Sequence, residues 1–160
     1  VNSDFVMGAG VARALYTKWP QVRSVYMQGK NTYKLGDIQF VNVKDNIWVC
    51  NLFGQKGTAT QCFNNLPEFI RIPPVRYDSV HEGFIKLADH VAPLDNITLH
   101  LPKICSDLAG GNFDRIFSIF YSVFSKLDID TYFYSFSDSD HKEMQEVITK
   151  HIKEKACITP

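Results

Sequence analysis

The segment Ile97-Thr98-Leu99-His100-Leu101-Pro102-Lys103-Ile104-Cys105-Ser106-Asp107-Leu108-Ala109-Gly110-Gly111-Asn112-Phe113 contains a short β-branched strand, a small-residue loop and the start of a helix. The helix continues through Ile116, Phe117, Phe120 and Phe124, an aromatic stripe at helical spacing that reads as core. Asn112 stands where a helix cap belongs. The same order occurs at the start of the chain, where Val1-Asn2-Ser3-Asp4-Phe5-Val6-Met7-Gly8-Ala9-Gly10-Val11-Ala12 closes an apolar run with a glycine loop and enters a helix. Glycine removes the side chain that would hold an anion away, and the helix dipole favours negative charge at the N-terminus. Two such loops in one small domain suggest a diphosphate held from both sides.

Outward from these loops, the apolar spacing of Val11, Ala12, Ala14 and Leu15 predicts a helix from Gly10 to Lys18. Trp19-Pro20 interrupts it before a second helix from Gln21 to Gln28. Asp37 to Val43 and Asn46 to Phe53 read as two strands joined by a Lys44-Asp45 hairpin turn. Gly54 to Arg76 is long, irregular and punctuated by Gly57, Pro67, Pro73 and Pro74, which predicts a lid or rim loop. A helix capped by Asp78 or Ser79 runs to about Ala92, ahead of Pro93. Asp130 to Phe136 is a further strand, and Asp138 or Ser139 opens a last helix to about Glu154. Strands that alternate with helices imply crossovers, hence an α/β fold: a three-layer α/β/α sandwich with a mixed, mostly parallel sheet. In such sheets ligands sit beyond the carboxyl ends of the strands, where both glycine loops lie.

At 160 residues and 18.3 kDa, one domain spanning 1–160 is expected. Seventeen basic and seventeen acidic residues cancel, so no global field recruits nucleic acid or an anionic membrane. No apolar run approaches the roughly 20 residues that span a bilayer. Cys50, Cys62, Cys105 and Cys157 are widely spaced without a C-x-x-C pair, which argues against a zinc site or a disulfide framework. The expectation is a soluble, cytoplasmic monomer with reduced thiols, no metal and no cofactor. His81, His90, His100, His141 and His151 are scattered and read as surface or core residues.

Several landmarks in sequence order resemble those of macro domains: Asn2-Ser3-Asp4 leading to Met7-Gly8-Ala9-Gly10-Val11-Ala12, Asn51-Leu52-Phe53-Gly54-Gln55, Arg76-Tyr77-Asp78, and Pro102-Lys103-Ile104 leading to Leu108-Ala109-Gly110-Gly111-Asn112-Phe113. The resemblance is to the branch of ADP-ribose-1″-phosphate phosphatases and terminal ADP-ribose protein glycohydrolases. It implies that loop 1 (Asn2 to Val11) and loop 2 (Cys105 to Phe113) clamp the diphosphate and distal ribose of ADP-ribose. Asn2, Ser3 and Asp4 would lie by the distal ribose. Backbone N–H groups of Gly8, Gly10, Val11, Ala109 and Gly110 would face phosphate oxygens, with Ala9, Cys105, Ser106, Leu108, Gly111, Asn112 and Phe113 completing the loops. Phe136 would place its ring against adenine or its ribose, and Asn2, Asp4 and Asp107 are the catalytic candidates. Structural alternatives stand beside these: strand-end capping by Asn2 and Asp4, loop capping by Asp107, packing by Cys105, and a core position for Phe136.

The implied activity is hydrolytic removal of phosphate or a protein carboxylate from the 1″ position. The partners would be ADP-ribose, its 1″ derivatives or ADP-ribosylated proteins, and the alternative is a non-catalytic reader of the same groups. Three departures bear on this. The family supplies strands and an acidic adenine contact before loop 1, so either the chain lacks its N-terminal strands or Asp138 or Asp140 near Phe136 substitutes. Cys105 and Asp107 stand where loop 2 usually has glycine. Ala109 follows Leu108 where a lysyl-adduct mechanism needs Asp, and Lys56 lies just beyond the segment that would supply the lysine; water attack assisted by the substrate phosphate or a nearby carboxylate remains. Ala14-Leu15-Tyr16-Thr17-Lys18-Trp19-Pro20 and the last helix resemble replicase-polyprotein macro domains of positive-strand RNA viruses, which would place the protein in the host cytoplasm. A phage or cellular stand-alone origin is equally tenable.

Overall fold

The computed structural model describes residues 1–58, 67 and 72–156. Most of the expected lid or rim loop, and Cys62 and Cys157, lie outside these residues. Helix α1 (Gly10–Lys18) and helix α2 (Gln21–Gln28) precede a hairpin of β1 (Ile38–Lys44) and β2 (Ile47–Leu52). The strands pair antiparallel from Ile38 opposite Leu52 to Lys44 opposite Ile47. Asn46 supplies the left-handed backbone, at φ 58°, that a tight hairpin needs, so the turn closes without glycine.

Alternation along the hairpin decides what covers each face. Val41, Val43 and Val49 pack with Val22, and with Leu15, Trp19 and Val25 at its margin, so α1 and α2 cover one face. Between them, Asn51 Nδ2 donates to Gln39 Oε1 at 3.0 Å and Gln39 Nε2 donates to the Val25 carbonyl at 2.9 Å. This relay satisfies two buried amides that would otherwise be costly. Ile38, Phe40, Cys50 and Leu52 face the other way, into the main core beneath α3 (Tyr77–Val91). Helices on both faces make the three layers.

The main core continues through β3 (Thr98–Pro102), α4 (Phe113–Phe124), β4 (Asp130–Tyr134) and α5 (Asp138–Ala156). β3 and β4 are parallel, with Thr98 opposite Asp130 and Pro102 opposite Tyr134, joined by α4 as a crossover. Phe84 of α3 meets Phe120 edge-on at 5.6 Å, Phe120 stacks on Phe124 at 4.6 Å, and Phe133 of β4 closes on Phe117 at 5.5 Å. These rings fix β4, which pairs through Phe133 with Leu101 of β3, the strand that leads into loop 2.

Element types match the sequence expectations, with differences at the ends. α3 starts at Tyr77, after Arg76, so Asp78 lies in its first turn instead of capping it. Ser137, not Asp138 or Ser139, caps α5 by accepting from the Asp140 N–H at 3.1 Å. The last strand stops at Tyr134. The described residues carry one antiparallel strand pair, β1–β2, and one parallel pair, β3–β4, in the expected mixed α/β arrangement. Beyond β2, Gln55 makes two isolated bridges, parallel to Asn2 and antiparallel to Val75. Connection length sets the two directions: the two-residue link between β1 and β2 permits only antiparallel pairing, while the α4 crossover lets β3 and β4 run parallel.

Phe120 contacts rings from α3, α4 and β4, so its truncation leaves a cavity that no single element can collapse into. Phe120→Ala is expected to cost about 3–5 kcal/mol in urea denaturation, with the denaturant slope unchanged.

Candidate functional site

Loop 1 is held from below by apolar packing and from the side by its own polar residues. Phe5 takes a left-handed backbone (φ 59°) that turns its ring inward, where it stacks on Tyr26 at 4.9 Å and meets Phe53 at 5.7 Å; Met7 is buried with them. The Tyr26 hydroxyl donates to the Asn2 carbonyl, and burial pushes that phenol above its ordinary pKa, so it stays protonated. The buried Asn2 side chain accepts from the Asp4 N–H at 2.6 Å and donates to the Gly57 carbonyl. Asp4 accepts from the Gly57 N–H at 2.8 Å, and the Ser3 N–H donates to the Gln55 carbonyl at 2.8 Å.

With Phe5 and Met7 anchored inward, Gly8 faces open space. Ala9 then begins α1 without a side-chain cap, and no acidic residue occupies the first turn. The N–H groups of Gly10, Val11 and Ala12 precede the first helical hydrogen bond, from Arg13 to Ala9. They form an uncapped donor set with the positive end of the helix dipole behind it.

Loop 2 leaves β3 through Lys103, whose buried ammonium pairs with Asp140 at 2.7 Å and Glu143 at 2.8 Å on α5. Both bonds raise the lysine's pKa. The Lys103 bond, with a second from Ser137, holds the Asp140 carboxyl below its ordinary value. Cys105 is left-handed (φ 57°), Asp107–Ala109 forms a single 3-10 turn, and the Gly111 N–H closes the loop on the Cys105 carbonyl at 3.0 Å. A Cβ on Gly111 would land on that carbonyl oxygen. Leu108 projects from the turn, 58% exposed, with its Cδ1 3.8 Å from where a Cβ on Gly10 would stand. Loop 2 therefore meets loop 1 where Leu108 lies over Gly10, and the space between the loops there is the candidate cleft.

No family model matches the sequence, and no curated protein matches it. Solved structures do. A protein of unknown function from Bacteroides thetaiotaomicron is 28% identical, covers 84% of this chain and 83% of its own, and superposes with a TM-score of 0.73. A macrodomain protein from Streptomyces coelicolor is 27% identical over 86% of this chain and 84% of its own, with a TM-score of 0.68. A mutant macrodomain from Oceanobacillus iheyensis, solved with ADPR, is 13% identical over 93% and 81%, with a TM-score of 0.67. This chain has the macrodomain fold.

Within that macrodomain frame, the expected site residues divide. Gly10 of loop 1 and Leu108 of loop 2 are brought together, and Gly8 beside them faces open space. Ala109 is not a phosphate donor: its N–H is bonded to the Ser106 carbonyl at 2.9 Å, because the 3-10 turn uses it. Phe113 is buried in the main core and packs on Phe117, so its ring is not a wall of the site. The Asn112 side chain is spent as the α4 cap, accepting from the Arg115 N–H at 2.9 Å. Ser106 is buried, its hydroxyl 3.3 Å from the Ile104 carbonyl, and burial pushes the Cys105 thiol up, which makes it a poor nucleophile.

Asn2 and Asp4 bind their own loop and Gly57, as the capping alternative held. Asp107 opens the 3-10 turn. Phe136 is 66% exposed just past β4, which rules out its core alternative. Asp140, a candidate substitute for the adenine contact, is already bound by Lys103 and Ser137.

Sequence reasoning missed the roles of Tyr26, Gln55 and Tyr77. Gln55 pairs with both Asn2 and Val75, and the Tyr77 hydroxyl accepts from the Asn112 N–H at 2.9 Å, fixing the end of loop 2. The only signal for Tyr26 was its position four residues after Val22 on one helix face.

Two outcomes follow. Gly111→Ala is expected to destabilise the protein by roughly 1–3 kcal/mol in thermal or urea melts, because the new methyl must displace backbone. The Lys103–Asp140 tie contributes above the ordinary carboxylate pKa of about 4 and is lost as pH falls through the depressed folded value. Acid titration of Lys103→Met should therefore show a shallower loss of stability below about pH 4 than the native chain.

Proposed function

We propose that this chain binds ADP-ribose in the cleft between loops 1 and 2 and hydrolyses an ADP-ribose 1″ derivative, either the 1″-phosphate or a modified protein carboxylate. One observation supports the binding half: the open face of Gly8 and the uncapped N–H groups at the start of α1 lie where Leu108 of loop 2 reaches over Gly10. A diphosphate placed there meets fixed donors from loop 1 while Leu108 excludes water from above. The Oceanobacillus structure with ADPR supports the choice of ligand.

Hydrolysis in this cleft rests on placement of the substrate more than on a strong base. Water attacks C1″ as the bond to the leaving oxygen breaks. A carboxylate leaving group departs without needing a proton, so the proton lost by water is the one that must be accepted. The substrate's own phosphate or the Asp4 or Asp107 carboxylate would take it. Asn2 acts here as a positioning residue, since its amide fixes Asp4 and Gly57.

One observation favours the second reading, a non-catalytic reader. Asp4 already accepts from the Gly57 N–H, which ties one of its carboxylate oxygens to its own loop system.

Calorimetry with ADP-ribose tests binding. In Gly10→Val a β-branched residue must adopt φ 58° and crowd Leu108, so affinity is expected to fall by at least about 100-fold while the far-ultraviolet spectrum stays native. Retained affinity would remove loop 1 from the site. Phosphate release from ADP-ribose-1″-phosphate and ADP-ribose release from a modified carboxylate then decide the chemistry. Binding without either release leaves the reader.

A further inference from the structure

Charge in this chain cancels only in total. Residues 8–34 contain Arg13, Lys18, Arg23, Lys30 and Lys34 and no acidic residue, whereas residues 72–156 hold nine basic and thirteen acidic residues. The first segment carries α1 and α2, which cover one face of the hairpin; the second carries α3, which covers the other. The zero net charge therefore hides a local positive field on the outer face of α1 and α2.

The cations of this face are available to a partner. Arg13, Lys18, Arg23 and Lys30 are exposed, and among the described residues none of them pairs with a carboxylate, while Lys86, Lys103 and Lys150 all do. Lys34 is set apart from the four, because Asp37 stands beside it.

The same face holds a concavity of about 420 Å³, lined by Tyr16 of α1, Pro20 of the link, and Arg23, Ser24 and Met27 of α2. The Arg23 guanidinium lies 5.5 Å over the Tyr16 ring. The Lys30 N–H donates to the Met27 carbonyl at 3.3 Å, which carries the helical turn past Gln28 and aligns Arg23, Met27 and Lys30 at i, i+4 and i+7. On α1, Arg13 stands one turn before Tyr16, and Lys18, over the Trp19 ring at 4.8 Å, stands two residues before Pro20. Each cation outside the concavity is thus within about a helical turn of a residue that lines it.

This combination points to one class of polyanion. Four cations spread over two helices exceed what a mononucleotide neutralises. An acidic peptide or an anionic membrane answers the charge but offers nothing planar to the concavity. A single-stranded nucleic acid answers both: its phosphates meet the cations, and an unpaired base has a flat apolar face for Tyr16, Arg23 and Met27 and polar edges for the Ser24 hydroxyl.

We propose that the outer face of α1 and α2 binds single-stranded nucleic acid, with a base in the concavity between the helices and the phosphates along Arg13, Lys18, Arg23 and Lys30. This surface is separate from the cleft, and its occupancy does not depend on the ADP-ribose reading.

Fluorescence anisotropy of a labelled single strand of about 12 nucleotides tests it. At low salt the native chain is expected to bind with a Kd of roughly 1–100 µM, and the log–log dependence on salt should have a slope of about −3, as for about four phosphate contacts. Arg23→Glu and Lys30→Glu, both at exposed positions, should each weaken binding by about tenfold and flatten that slope by about 0.7. Lys126→Glu makes the same change of charge just past α4 and should leave affinity within about twofold. Absence of binding at low salt would overturn the proposal. So would equal losses in all three variants, since net charge alone would then be acting, and so would equally tight binding of a duplex of the same length or of polyglutamate, since the concavity would then contribute nothing. Displacement of the strand by excess ADP-ribose would overturn it too, by placing the strand in the cleft. Calorimetry with ADP-ribose judges the cleft separately, so the two readings fail by different measurements.

Discussion

The arrangement depends on backbone pairing at Gln55. This residue lies beyond the end of β2, yet it pairs with Asn2 on one side and Val75 on the other, and Val75 passes the connection to Ala109. Four segments distant in sequence are thereby tied at one level, at the carboxyl ends of the strands. The ends of hydrogen-bonded strands leave N–H and C=O groups that must find partners or water. Here those groups bind one another, so the loops that form the cleft are positioned by the main chain.

Backbone positioning explains why the polar side chains of loop 1 bind main chain nearby. Asn2, Asp4 and Tyr26 form a small network with Gly57, and each bond in it fixes the turn that sends Phe5 and Met7 into the core. Breaking one member would leave a buried polar group unpaired, at about 1–3 kcal/mol. The consequence is a loop 1 built before any ligand arrives. A preorganised donor set loses little entropy on binding, and its N–H groups need no rearrangement to meet an anion.

Much of this was legible in the sequence, for reasons tied to period and punctuation. The 3.6-residue spacing of Val80, Phe84, Leu87 and Val91, and of Phe113, Ile116, Phe117, Phe120 and Phe124, marked two helices and their buried faces. Gly8 and Gly10 marked the start of α1, where one glycine faces open space and the other takes a left-handed backbone under Leu108, and Gly111 marked the place where loop 2 backbone closes on Cys105. What stayed hidden depends on partners distant in sequence. Nothing local shows that Ala109 donates within its own turn or that Asn2 reaches Gly57. Phe113 carried two signals, loop 2 and the start of an aromatic stripe, and burial decided for the stripe because Ile116, Phe117, Phe120 and Phe124 pull that helix face inward. Lys103 belonged to a recognisable string, but its carboxylate partners lie 37 and 40 residues away on α5.

The two loops differ in how they are stiffened, and the difference bears on the cleft. Loop 1 rests on aromatic packing, which is insensitive to salt and to pH over the neutral range. Loop 2 is anchored at one end by a lysine with two carboxylates and at the other by the Tyr77 hydroxyl, with Gly111 wedged against Cys105 between them. Partly exposed ion pairs are weakened by salt and by acid, whereas the glycine contact is not. Loop 2 is therefore the side of the cleft whose position responds to conditions. Leu108 rides on it, half a turn from the only donor, Gly110, that loop 2 keeps among those expected. Any opening or closing of the cleft should come from movement of Leu108 over a fixed loop 1, because the loop 1 donors are locked by a core that would have to unpack before they could shift.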